Sequence, residues 1–166
     1  SLLESISGLL QDEQTAGISI PIHEHFMGKA NHVLTKRCSK VRIFRRSKGC
    51  IDTPRVHEGV DVDGKVASIS GAIHHYGEKD IATKLDKINH YSSLSAEDKH
   101  ESGKRTSLLR LGFTFPLAFF KSYILRRQCF SGRRGFIAAM VNAFYAFLKQ
   151  AKLFEYQQNE KNRVEE

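Results

Sequence analysis

No tryptophan occurs in these 166 residues, prolines number three, and between Lys104 and Lys152 there is not one Asp or Glu. Cysteines are few: Cys38, Cys50 and Cys129, an odd number with no CxxC spacing. That excludes a disulfide framework and a cysteine-built zinc site, and it reads most simply as free thiols in a reducing compartment. Long hydrophobic runs are missing as well. The longest uncharged stretch, Gly135 to Leu148, is fourteen residues, whereas a spanning helix needs roughly 20. Phe113 to Leu125 is interrupted by Lys121 and contains Pro116. There is no Walker loop, no GxGxxG, no Ser-His-Asp order and no zinc-ligand spacing. The chain opens on Ser1 without an initiator methionine or a signal peptide, in what reads as an amphipathic helix already under way, so a fragment of a longer protein is expected.

What is present is a basic, aromatic second half. The acid-free window holds ten Lys and Arg and ten of the sixteen Phe and Tyr. With a net charge of +8, the rest of the chain carries about −2 (8 − 10). Such a footprint suits an anionic surface: membrane lipid, nucleic acid or a phosphorylated glycan. The aromatics fall at helical core spacing and not on a strand platform, which argues against nucleic acid. The helices of this half can lie at a membrane interface, with Lys121, Arg126, Arg127, Arg133 and Arg134 toward anionic headgroups, or pack on the core with the cations as a solvated rim. The lack of acid favours the interface, because a merely solvated rim mixes both signs.

The first half is strand-rich. Ile18 to Ile22 alternates and is β-branched, which predicts a short strand ending near Pro21. Lys40 to Arg46 predicts a second strand, Arg55 to Glu58 a third, and Val66 to Ser70 a fourth, entered by a turn at Asp61 to Gly64. After Gly77 the period changes: Ile81, Leu85 and Ile88 have helical spacing, with Lys84, Lys87 and Tyr91 on a neighbouring face. Ser92 to Arg105 is polar and reads as a short surface helix or a loop, with a capping box at Ser95 and Asp98. Pro116 suits the first turn of a helix running to about Arg127. Gly132 to Gly135 reads as a turn, and Phe136 to about Tyr156 as the last helix.

Several side chains could carry chemistry. Glu58 ends a predicted strand, is followed by Gly59, and is ionised at neutral pH with an ordinary pKa of about 4.3, as a general base must be. A surface charge is the plainer reading of a lone glutamate. His57 beside it would position Glu58 or pack. His74 and His75 are adjacent, so on a strand they point to opposite faces and at most one serves a given site. His23-Glu24-His25 puts two imidazoles on one face, with no third ligand at a recognised spacing. Arg42 and Arg46 share a strand face and Arg45 opposes them. An arginine fork there suits a diphosphate, and a solvated strand edge accounts for it equally. Lys87 and Tyr91, one turn apart, bind an anionic substrate or decorate a helix.

The order of these pieces resembles the C-terminal part of a family 2 glycosyltransferase, of the bacterial group that adds a sugar to the lipopolysaccharide core. Phe26 to Lys29 looks like that family's "f-x-G-k" turn, Val41 to Arg46 its "iRLFrR" strand and Val56-His57-Glu58 its "vHE". His75-Tyr76 matches "HY", Lys87 to Tyr91 matches "K-x-n-x-Y", and Pro116 to Leu125 its proline-aromatic-lysine-tyrosine run. Gly132 to Phe136 resembles "DG-x-x-Gf". Departures are Ser131 in place of the aspartate, Arg126 to Cys129 in place of a glycine-bearing flank, and Thr35 to Cys38 where a tryptophan often stands.

The resemblance implies an α/β chain forming the C-terminal portion of a GT-A-type fold. A short mixed sheet, about 17–71, would be followed by basic amphipathic helices, about 78–156. Residues 1–77 would be the acceptor side of the transferase domain, and 78–166 a helical, basic, membrane-proximal region. It implies inverting transfer from a nucleotide-sugar, a UDP-sugar for preference, to a glycan or glycolipid acceptor, with no role for nucleic acid. Glu58 would be the base. Arg42, Arg45, His57, His75, Tyr76, Lys87 and Tyr91 would contact substrate or diphosphate. A divalent metal, Mg or Mn, would be held by a DxD preceding Ser1, with His75 near it. The protein would sit on the inner face of the cytoplasmic membrane. The competing class is a non-catalytic module binding anionic membrane or phosphate.

Overall fold

A computed structural model of the chain describes residues 2–52 and 59–165. In chain order the strands are β1 (Thr15–Phe26), β2 (Lys29–Ala30), β3 (Cys38–Phe44), β4 (Gly49–Asp52), β5 (Gly59–Val62), β6 (Lys65–Ser68) and β7 (Ile73–Glu78). The α-helices are α1 (Leu2–Gln11), α2 (Ile81–Glu101), α3 (Leu108–Phe120) and α4 (Gly132–Glu165), with a π turn at Lys121–Leu125 and a 3-10 turn at Gln128–Ser131. The chain divides into two compact units: Ser1–His25 with Arg37–Gly77, and Phe26–Lys36 with Glu78–Glu166.

In the first unit β1 is central. It runs antiparallel to β3, parallel to β6, and also pairs with β7; β4 and β5 form a separate antiparallel pair. The sheet is therefore mixed, as expected, and it extends past residue 71 to include β7. Ile18 and Ile20 of β1 bury with Ile69, and Ile6, Leu9 and Ile43 pack against them. One face of α1 thus covers the sheet, because Ile6 and Leu9 lie three apart. The strand expected to stop near Pro21 continues to Phe26. Its last parallel pair with β6 is Ser19↔Ser68, so β6 asks nothing of the N–H that Pro21 lacks. The second strand is Cys38–Phe44 and not Lys40–Arg46. It contains a bulge: Ile18 pairs Ile43 and Ser19 pairs Val41, so Arg42 is skipped. The strand foreseen at Arg55 to Glu58 lies outside the described residues, whereas Asp61 and Val62, read as a turn, belong to β5.

In the second unit α2 is capped by Asp80, whose carboxylate accepts from the Thr83 N–H at 2.7 Å. Lys84, Ile88, Ser92 and Ala96 are buried at four-residue intervals, and α2 packs on α4. The helix runs unbroken to Glu101, through most of the polar stretch expected to be a short helix or a loop, and small Ser92 and Ala96 allow the close approach. Pro116 lies not in a first turn but inside α3, as its ninth residue. A mid-helix proline leaves the carbonyl four residues earlier without a donor. That residue is Gly112, which is exposed and can turn its carbonyl to water. The residues read as a turn, Gly132 to Gly135, are instead the start of α4. A Cβ on Gly135 would fall 1.9 Å from the Gln128 carbonyl oxygen, so only glycine lets the 3-10 turn fold back on the helix.

Candidate active site

β1 and β7 lie side by side and alternate their side chains across the sheet. His23 and His25 meet His74 and Tyr76; Glu24 meets His75. The three rings of His23, His25 and His74 have centroids 5.2–5.8 Å apart. His25 Nε2 and His74 Nδ1 are 2.9 Å apart, and the Tyr76 ring lies 4.1 Å from that of His25. In such a ring-to-ring hydrogen bond one nitrogen donates and the other accepts, the roles set by the tautomers. Burial, followed by the neighbouring His74 and His23 rings, holds His25 below the usual imidazole range, while Glu24 acts the other way. His25 Nδ1 is buried and has no hydrogen-bond partner among the described residues.

The third imidazole, from a strand 49 positions away, is what sequence spacing missed. Even so, among the described residues no group of three His, Cys, Asp or Glu side chains is placed to hold a metal ion. On the opposite side, His75 Nδ1 and Glu24 Oε2 are 2.6 Å apart. Gly77 makes room for that ring, since a Cβ there would approach His75 Cε1 to 2.5 Å. The carboxylate orients the imidazole.

The arginines separate into two roles. Arg45 donates from Nε to the Thr15 carbonyl at 2.9 Å, and from Nη2 to the carbonyls of Leu10 and Asp12 at 2.9 and 3.2 Å. Its fork thus ties α1 to the start of β1. Arg42, the bulge residue, is exposed, and a bulge re-aims the side chain it carries. Strand parity therefore does not group Arg42 with Arg46. His57 and Glu58 lie outside the described residues; Gly59, next in sequence, pairs with Asp52 across β4 and β5.

In the second unit Lys87 and Tyr91 are both exposed on α2. Sequence reading placed Lys84 on the same face but missed its burial: its side chain is buried, ion-paired with Glu78 and placed 5.0 Å over the Phe26 ring. Ser131, standing where the resembling family has aspartate, accepts from the His32 N–H at 2.9 Å and lies 3.1 Å from Thr35 Oγ1. The Arg126 carbonyl accepts from the Lys36 N–H at 3.1 Å, and Arg134 donates to the Phe26 carbonyl at 3.3 Å. The hydroxyl of Ser131 and these backbone groups hold the 26–36 segment in place. Lys121, Arg126, Arg127 and Arg133 are exposed.

On β1 and β7 the site is an imidazole–carboxylate pair on one face and three clustered imidazoles on the other. Known proteins supply the class. The chain is 38% identical over 117 residues, 69% of its length, to a lipopolysaccharide core biosynthesis glycosyltransferase, LpsC, of Rhizobium meliloti (strain 1021). It is 36% identical over 113 residues to an uncharacterized glycosyltransferase of Rickettsia felis, and 34% identical over 102 residues to one of Rickettsia prowazekii. No family model matches, and no solved structure matches. The chain spans 35–43% of the length of these curated relatives. Over about two thirds of its length it is a homologue of named glycosyltransferases.

Proposed function

We propose that the whole protein transfers a sugar with inversion from a nucleotide-sugar donor, a UDP-sugar for preference, to a glycan or lipid-linked acceptor of the lipopolysaccharide-core type. The observation that carries this reading is the 38% identity over 117 residues to a transferase named for lipopolysaccharide-core biosynthesis. Residues 1–77 belong, on this reading, to the acceptor side of a GT-A-type domain. Glu58 is assigned as the base: it takes the proton of an acceptor hydroxyl, which attacks the anomeric carbon as the diphosphate leaves. His57 positions Glu58.

His75, held by Glu24, is suited to donate to the departing diphosphate, and Tyr76 and Arg42 to contact substrate. Arg45, engaged with three backbone carbonyls, acts as a positioning residue. Lys87 and Tyr91 are assigned to substrate contact by the resemblance alone. A divalent metal, Mg or Mn, is expected in the whole protein, with His75 as the residue of this chain nearest to it on the family resemblance. The place of action is the inner face of the cytoplasmic membrane, where a lipid-linked acceptor is met.

In the whole protein, Glu58→Gln should lower transfer by at least about a hundredfold, the scale of a lost general base, and leave sugar-nucleotide binding unchanged by calorimetry. Normal turnover in that variant would remove Glu58 from the chemistry. A pure binding module would show no turnover in either protein.

A further inference from the structure

α3 has no buried residue. Its half-buried side, Leu111, Phe115, Ala118 and Phe119, faces α4, against which α3 packs. Phe119 meets Phe136 edge-on at 5.7 Å. The polar knot that ends this seam is buried Ser122, which accepts from Asn142 Nδ2 at 3.1 Å. The other side is apolar and open. Leu109, Phe113, Leu117, Phe120 and Ile124 follow one another at spacings of four, four, three and four, and are 44–73% exposed. A stripe at helical spacing is what usually buries in a core. Here it continues across the π turn and faces outward.

Its border is cationic: Arg110, Lys121, Arg126 and Arg133 are exposed, and no acid occurs from Lys104 to Lys152. A protein partner with an apolar ridge would satisfy the stripe but would gain nothing from the one-signed rim. An anionic bilayer satisfies both, taking the apolar side chains below the headgroups and the cations among them.

Leu108–Leu125, 18 residues, is also the one segment among the described residues long and apolar enough to cross a membrane. Crossing would place Arg110 and Lys121 in or near hydrocarbon and would strip away the α4 seam and the Ser122–Asn142 bond. Lying in the plane keeps both.

We propose that α3 with the π turn is an in-plane wedge that seats the helical unit on an anionic lipid surface. This deepens the membrane location given under the proposed function and rests on that reading for its purpose; the surface itself is argued from α3 alone. Arg134 is not part of it, being tied to Phe26.

The test uses the whole protein and vesicles of phosphatidylcholine, with or without an equal part of phosphatidylglycerol. Co-sedimentation should require phosphatidylglycerol and weaken with salt. Leu117→Ser with Phe113→Ser, both at exposed positions, should weaken it by about tenfold or more, the effect of withdrawing two side chains from an interface. The same variant should keep its circular dichroism and its transfer to a water-soluble acceptor. Leu117→Trp, read as the difference from the parent protein, reports depth. Its added emission should be quenched by bromines near the headgroup and not by those at the acyl-chain ends. Quenching at the bilayer centre would mean a spanning helix and overturn the wedge. Absence of vesicle binding would overturn it as well, and an assembly that falls apart on Leu117→Ser would identify the face as a protein interface instead. Loss of transfer in Glu58→Gln with vesicle binding intact would leave the two readings separately judged.

Discussion

His25 is the residue whose environment and chemistry are most closely bound together. Its ring touches His23, His74 and Tyr76 on one side of the sheet, with Glu24 next in sequence and His75 beyond it on the other. Burial and the two neighbouring imidazoles hold its titration below the ordinary value. The unfolded chain therefore binds more protons than the folded one as pH falls through about 6.5. Stability from this group is complete above that pH and is lost as pH drops toward the folded value. The midpoint of thermal unfolding should fall on acidification below about pH 6.5. His25→Phe, which can still stack on Tyr76, should flatten that slope. Parallel curves for the two proteins would show that the imidazole cluster does not govern the acid limb. The cluster also marks a boundary of sequence reasoning. His23 and His25 could be placed on one face from alternation alone, but His74 joins them only through the pairing of β7 with β1. The Arg45 clamp was equally hidden, because its acceptors are backbone carbonyls that carry no sequence signature.

Elements were legible where a single period governed them. The β-branched alternation of β1 and the first turns of α2 could be read directly. Errors came where one residue broke a rule and tertiary packing compensated. Pro116 signalled a helix start, yet it sits inside α3 because Gly112 is exposed. The bulge at Arg42 changed the parity of β3, and no local pattern announces a bulge. Gly132 and Gly135 were read as a turn, although the latter is a point of close backbone approach inside a helix. That last reading yields a paired prediction. Gly135→Ala drives a methyl into the Gln128 carbonyl and should cost about 1–3 kcal/mol in urea unfolding, the scale of an overpacked site. Gly112→Ala meets nothing within 4 Å and should instead stabilise by about 0.5–1 kcal/mol, since alanine is the better helix former. Equal effects at the two positions would mean that the 3-10 turn yields freely.

The whole molecule is two units whose sequences interleave, with 26–36 taken from the first half of the chain and assigned to the helices. Amide exchange should reveal this. The N–H groups of His32 and Lys36, which donate to Ser131 Oγ and the Arg126 carbonyl, should open with the denaturant dependence of the α4 amides rather than that of β1. Matching the β1 amides would place the segment energetically in the sheet. The candidate base, Glu58, is assigned through the order of separated motifs rather than any local geometry, and it lies outside the described residues.

Interleaving also sets a timetable for synthesis. His32 leaves the ribosome 99 residues ahead of Ser131, its hydrogen-bond partner. At about 5–20 residues per second this is a wait of roughly 5–20 s. During that interval Val33 and Leu34, both still exposed in the finished fold, belong to a stretch with no folded partner. The first unit can complete its sheet once Gly77 has emerged, but the strap at 26–36 stays unclaimed until Arg126 to Ser131 arrive. A chaperone that surveys nascent chains would meet this protein there.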